Sequence, residues 1–338
     1  MAEPTVLDWY DIRDWGVEGK GYDDTLRYYD RLPPKAESMV PKVVWDLSRT
    51  ATGMCAWFET DASEIHAKWV LGSPQINEMN FPAAGFSGLD LYADDNGSLR
   101  WAGAGHLVKD QRPEQCLISG MAGNNRRYCI YLPIRNPLES AAIGIPKGSR
   151  FTPVPPRKSK PVVFYGTSIV HGAYASHSGM IHPSIIGRRL HTPVINLGFS
   201  GNAKMERALA ELIAEIDASV YVIDALPNMD MALVQERADV FMRTLHKLRP
   251  HIPAVYIEDR PLTNWWLRPA TIISQEAKWR EFRRIYDNVR ADGGYMHYIE
   301  GRALFGTDCE ASLDTSHPSD LGFMRMADII EPVIRSLI

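Results

Sequence analysis

From residue 161 onward, short apolar runs alternate with amphipathic stretches of helical period, and few folds can satisfy that alternation. Val162 to Tyr165, Val194 to Leu197, Val220 to Ala225, Ala254 to Ile257 and Tyr295 to Ile299 are largely apolar along their length instead of at every second residue. Strands read this way when both faces are buried. Between them, Met205, Ala208, Leu209, Leu212, Ile213 and Ile216 recur at three- and four-residue spacing, as do Val234, Ala238, Phe241, Leu245 and Leu248. Phe282, Ile285, Tyr286 and Val289 form a third such face, closed by Gly293 near a C-cap position. The pattern predicts a parallel sheet covered by helices on both sides, an α/β domain whose ligands bind beyond the carboxyl ends of the strands.

The N-terminal half has a different period. Val43 to Leu47, Met54 to Phe58 and Ile65 to Val70 are short runs separated by turn chemistry, with Asp95-Asn96-Gly97 and Gly120 to Asn125 as turns. Strands at this spacing predict an antiparallel β-sandwich of the jelly-roll kind. Gly144 to Lys160 carries Pro146, Pro153, Pro155 and Pro156 without a regular period and reads as the linker. The division expected is therefore a β domain over residues 1–150 and an α/β domain over 151–338.

A chain of 338 residues with 45% hydrophobic side chains can fill two such cores. A formal charge of -4 and no run of Lys or Arg exclude a nucleic-acid footprint. No stretch of about 18 uncharged apolar residues is present to span a membrane. Met1 to Trp9 lacks the basic and apolar regions of a secretory signal, so a cytoplasmic location is expected. Cys55, Cys116, Cys129 and Cys309 lack metal or redox spacing and read as reduced thiols. Small or neutral partners fit this balance best, and self-association stays open.

The residues just past each predicted strand carry the chemistry. The first strand ends in Tyr165-Gly166-Thr167-Ser168-Ile169, the second in Asn196-Leu197-Gly198-Phe199-Ser200-Gly201-Asn202 and the third in Leu226-Pro227-Asn228-Met229-Asp230. Asp314-Thr315-Ser316-His317-Pro318 precedes the last helix. Acyl transfer needs a nucleophile, a base, a group orienting the base and donors for the oxyanion. Ser168, His317 and Asp314 supply the first three; the N–H groups of Ser168 and Gly201 and the Asn228 amide supply the fourth. Each residue also has a plainer reading, as helix cap, turn glycine or surface imidazole. His171, His177, His182 and His191 crowd the segment after Ser168 but lack paired-ligand spacing, so neither a metal nor another cofactor is expected. His171 is a candidate for the pocket wall. Trp265 and Trp266 follow the fourth strand and are candidates for a sugar-stacking wall or for packing.

The blocks Gly166-Thr167-Ser168, Gly201, Asn228 and Asp314-Thr315-Ser316-His317 resemble the SGNH, or GDSL-type, hydrolase superfamily. Gly88-Leu89-Asp90-Leu91-Tyr92 is similar to the Gly-x-Asp-Leu-Tyr signature in the β-rich N-terminal domain of one bacterial subgroup. The resemblance covers most of the chain, from about Val43 onward. It implies a flavodoxin-like three-layer α/β/α domain and a serine esterase acting through an acyl-serine intermediate. By analogy with related architectures the substrate expected is a small, acetyl-type ester of a carbohydrate. Short-chain aryl esters or thioesters, acyl transfer and non-catalytic sugar binding are the alternatives. Thr167 stands where the superfamily's name has aspartate, and Ala225 or Leu226 replaces a usual glycine before Asn228.

Overall fold

The computed structural model describes residues 5–106 and 108–338. Nine strands build the N-terminal half: β1 (Leu7–Asp11), β2 (Cys55–Thr60), β3 (Ile65–Leu71), β4 (Asp90–Asp95), β5 (Ser98–Ala104), β6 (Glu114–Ile118), β7 (Arg126–Tyr131), β8 (Leu138–Pro146) and β9 (Phe151–Val154). They form two antiparallel sheets, in the orders β1-β8-β3-β6 and β5-β4-β7-β2-β9. Alternate residues of each strand, such as Ile65, Ala67 and Trp69 of β3 and Ala56 and Phe58 of β2, face one shared core. The Asp95-Asn96-Gly97 turn joins β4 to β5, with Asn96 and Gly97 both at positive φ.

Two expectations change here. Val43 to Leu47 is not a strand but lies in helix α1 (Lys42–Leu47), with Val44, Trp45 and Leu47 buried and Val43 and Asp46 exposed. That spacing fits one face of a helix turn, and a run this short is compatible with either period. The segment read as a linker contains the end of β8 and all of β9. Pro153 is accepted because β9 is an edge strand, where a missing N–H breaks no ladder. Phe151 supplies the reason to pair: its ring stacks on Tyr10 at 3.9 Å and on Phe58 at 5.4 Å.

The other half follows the predicted alternation. β10 (Val162–Gly166), β11 (Val194–Gly198), β12 (Val220–Asp224), β13 (Ala254–Ile257) and β14 (Met296–Ile299) make a parallel sheet in the order β11-β10-β12-β13-β14. The first three of these strands are buried at every residue. After the short turn α2 (Ala83–Phe86) of the sandwich, the helices are α3 (Ser168–His171), α4 (His182–Leu190), α5 (Arg207–Ile213), α6 (Met231–Leu248), α7 (Pro269–Ala291) and α8 (Asp320–Arg335). Helices α5, α6 and α7 bury Leu209, Phe241 and Phe282 in one apolar cluster, while α4 and α8 bury Ile185 and Phe323 in another. These are the outer layers of a three-layer α/β/α fold. The chain leaves β10 to one side for β11 and returns to the other for β12, so the crevice beyond Gly166 is the switch point where such sheets bind ligands.

The halves are interlocked. Tyr22, Leu32, Val44 and Trp45, all N-terminal in sequence, lie in the same cluster as α5 and α6. Across the other contact, Asp90 of the Gly88–Tyr92 signature is fully buried. It accepts hydrogen bonds from His177 Nδ1 (2.5 Å), the Gly179 N–H (2.7 Å) and Trp101 Nε1 (2.7 Å). Tyr92 lies under the Arg188 guanidinium of α4 at 4.1 Å. The signature therefore ties the sandwich to the segment that follows α3. The four cysteines are free, Cys55 and Cys129 buried, Cys116 and Cys309 exposed. No helix among the described residues is long and apolar enough to cross a membrane.

Candidate active site

Ser168 is the first residue of α3, set there by a backbone that tolerates no side chain at Gly166. A Cβ at that position would lie 2.4 Å from Val170 Cγ2 and 2.6 Å from the Asp224 carbonyl oxygen. Thr167 is the N-cap and accepts from the Ile169 N–H, and Gly172 at φ 100° ends the turn. Gly198 serves the same close approach from β11, since a Cβ there would lie 2.1 Å from the His171 nitrogen.

His317 Nε2 is 2.8 Å from Ser168 Oγ, and His317 Nδ1 is 2.7 Å from Asp314 Oδ2. The other Asp314 oxygen accepts from the N–H groups of His317 (2.7 Å) and Ser316 (3.0 Å). Burial pushes the Asp314 carboxyl up, but these bonds from the His317 backbone, the His317 ring and Ser316 outweigh it and hold the group below its ordinary value. The turn stores strain at Thr315, a β-branched residue at φ 78°, and is braced by the Thr263 N–H on the Thr315 oxygen at 2.9 Å. Ser312 Oγ and the Leu313 N–H donate to the His317 oxygen at 2.7 and 3.1 Å, and the Tyr174 ring meets the imidazole edge to face at 4.8 Å.

The expected oxyanion donors belong to residues that line the same cavity. The Ser168 N–H begins α3, and no protein acceptor faces it among the described residues; the same holds for Gly201, at φ 70°. Asn228 gives one amide hydrogen to the Asn202 oxygen at 2.7 Å, which orients its carboxamide and leaves the second hydrogen free. Ser168, Gly201, Asn228 and His317 line one cavity of about 260 Å³.

His171 is only 1% exposed at the base of this cavity. Burial, then the charges of Arg31 and Arg135, hold its pKa well below 6.5, so the ring is neutral. Its Nε2–H donates to the Ile134 oxygen (3.2 Å), leaving Nδ1 to accept from Ser200 Oγ (3.1 Å) beside Gly201. Its place is thus under the loop that carries Ser200 and Gly201. Trp265 packs on Trp279 with Arg302 over its ring, Trp266 is 63% exposed, and neither lines this cavity or the adjoining one of about 470 Å³ beside Ile169 and Ser316. The remaining crowded histidines diverge: His177 binds Asp90, His182 lies between Phe164 and Phe323, and His191 caps α4.

Several supporting residues have no sequence signal. Arg31 is 1% exposed and donates to the oxygens of Asn196 and Gly198 (both 2.9 Å), Leu47 (2.7 Å) and Thr50 (3.1 Å). Burial, then Arg135, pushes it down to about 9, and it pins the β11 end from below. The sandwich lends Glu78, Phe81, Ile134 and Arg135 to the cavity wall. Nothing in their local sequence separates them from ordinary loop residues.

The comparisons agree with this geometry. Residues 159–335 match the model of the GDSL-like lipase/acylhydrolase family, and residues 7–151 match the N-terminal domain of SGNH-hydrolase-type esterases. The chain is similar to a GDSL-like lipase from Bacteroides ovatus ATCC 8483, with a TM-score of 0.92 at 27% identity over 98% of both chains. It is also similar to the salicylyl-acyltransferase SsfX3 of a tetracycline biosynthetic pathway, with a TM-score of 0.76 at 18% identity over 98% of this chain and 97% of the other. A family-two carbohydrate esterase from Clostridium thermocellum gives a TM-score of 0.56 at 13% identity over 84% and 94%. At the last two identities the likeness concerns the fold. No curated protein matches the sequence. With more than half its length in the family model and the serine, glycine, asparagine and histidine blocks around one cavity, the chain belongs to the GDSL-like lipase/acylhydrolase family.

Proposed function

We propose that the protein is a serine esterase that hydrolyses short-acyl carboxylic esters through an acyl-serine intermediate, with acetylated carbohydrate or a similarly small alcohol as the substrate class. One observation carries the reading: Ser168 Oγ, His317 and Asp314 form an unbroken hydrogen-bonded line at 2.8 and 2.7 Å. The cavity it opens into, about 260 Å³, favours a small acyl group. The carbohydrate part rests on fold-level likeness to carbohydrate esterases and is analogy.

In this mechanism Ser168 Oγ attacks the ester carbonyl while its proton passes to His317 Nε2. Asp314 stays ionised, holds the imidazole with Nδ1–H toward itself and stabilises the imidazolium. The carbonyl oxygen gains its charge among the Ser168 and Gly201 N–H groups and the free Asn228 hydrogen, where loss of one donor costs about 3 kcal/mol of barrier. His317 then protonates the departing alcohol. Water then attacks the acyl-serine with His317 again accepting the proton; the acyl C–Oγ bond breaks, His317 returns the proton to Ser168 Oγ, and the acid leaves. The proposed route calls for no cofactor.

The test compares wild type with Ser168→Ala on p-nitrophenyl acetate and on acetylated monosaccharides, with a fluorophosphonate label read by mass spectrometry. Wild type is expected to turn over ester and to carry the label on Ser168. Equal turnover by the two proteins, with no label, overturns the proposal. Product analysis with a competing alcohol separates hydrolysis from acyl transfer.

A further inference from the structure

The sandwich places one arginine in the cavity wall whose guanidinium is met there, among the described residues, by a single loose ion pair, to Glu78. Arg135 lies in the loop between β7 and β8, and its backbone is held in place. The N–H groups of Ile134, Arg135 and Asn136 bond to the oxygens of Gly85 and Phe86 at 2.9 to 3.2 Å. Asn136 is fully buried and fastens the loop to the Ser73 oxygen at 3.1 Å, the Gln75 oxygen at 2.8 Å and Ser87 Oγ at 3.1 Å. The guanidinium itself makes no hydrogen bond among the described residues. The nearest carboxylate, Glu78, is 3.9 Å from Nε, too far for a hydrogen bond, and the two side chains are 26% and 38% exposed.

We infer that Arg135 reads a carboxylate on the substrate, so that the preferred esters carry a negative charge near the scissile bond. A rigidly based guanidinium with its donor fork unused matches a carboxylate in two parallel bonds, which Glu78 at its present distance does not provide. Among the described residues Arg31 has carbonyl and hydroxyl oxygens as its hydrogen-bond partners, and both Asp314 oxygens are already engaged by His317 and Ser316, so neither takes up the Arg135 donors. Among the described residues Glu78 is the acidic side chain that competes, and it does so from an exposed turn closed by paired bonds between Glu78 and Phe81. The inference rests on the esterase reading and adds the charge of its substrate.

Matched ester pairs test it. Mono-4-nitrophenyl succinate against its methyl ester puts the carboxylate on the acyl side, and 4-acetoxybenzoate against its methyl ester puts it on the alcohol side. In wild type, kcat/KM for the charged member of one pair is expected to exceed the neutral member at least tenfold, and the pair that responds identifies the side. Arg135→Gln is expected to bring that ratio to about one, Arg135→Lys to keep part of it, and Glu78→Gln to raise it. Raising salt from 0.05 to 0.5 M is expected to lower it. Ratios near one for both pairs in wild type, or a ratio unchanged by Arg135→Gln, overturn the inference while leaving a Ser168-dependent esterase intact. Absence of Ser168-dependent turnover on all four esters overturns both.

Discussion

Replacing Asp90 by alanine is expected to destabilise the whole chain by about 3–5 kcal/mol, although the residue lies in the sandwich and the site in the other domain. The carboxylate is fully buried and accepts three hydrogen bonds at 2.5 to 2.7 Å. Alanine leaves their donors in place. The Gly179 N–H is buried and loses a charged acceptor, at about 1.5–3 kcal/mol. The His177 ring, whose side chain is 17% exposed, loses its partner at a similar cost of about 1–3 kcal/mol. Trp101 is 55% exposed, so water replaces its bond at little cost. With a urea dependence of about 3 kcal/mol per M for a chain this large, the midpoint moves down by about 1–1.7 M. Tryptophan fluorescence and residual esterase activity followed on the same urea series measure it. Activity should be lost at or before the fluorescence transition, because the broken contacts hold the segment that follows α3. A midpoint shift below about 0.3 M, near 1 kcal/mol, would refute the view that Asp90 fastens the domains.

Two glycines should respond to different degrees. Gly198→Ala puts a methyl 2.1 Å from the His171 backbone, so poor folding is expected from yield and thermal melting. Gly201→Ala meets nothing within 4 Å and bears only the left-handed backbone cost of about 1–2 kcal/mol, so a folded protein with kcat lowered about tenfold is expected. Burial, and then the Arg260 charge, holds the pKa of His182 well below 6.5, and both ring nitrogens lack hydrogen-bond partners. Below pH 6.5 the unfolded chain takes up a proton that the folded chain refuses, so stability falls as pH drops through that range. His182→Phe, between Phe164 and Phe323, is expected to flatten the fall by about 1.4 kcal/mol per pH unit in urea titrations at pH 6 and 5.

That Ser168, Gly201, Asn228 and His317 come together at one cavity was legible because each sits just after a strand or before a helix, where a fixed backbone geometry demands glycine, a cap or an exposed polar group. Short apolar runs were not legible. Val43 to Leu47 fits a strand and a helix equally well, and burial of Val44, Trp45 and Leu47 against the α/β core decides for the helix. Gly144 to Lys160 looked irregular because its prolines hide an edge strand anchored by Phe151. Trp265 and Trp266 follow a strand at the functional end, yet Trp279 and Arg302 draw the first away from the cavity wall.

By itself the sequence determined the two periods, the parallel sheet and the order of the candidate site residues, since these depend on contacts local in the chain or repeated along it. Only the tertiary structure decided what Asp90, Arg31 and Arg135 do. Asp90 and Arg31 join segments 87 and 165 or more residues apart, while Arg135 stands in a cavity wall that two domains share. Nothing in a neighbouring residue records which distant carbonyl or cavity a charged side chain will meet.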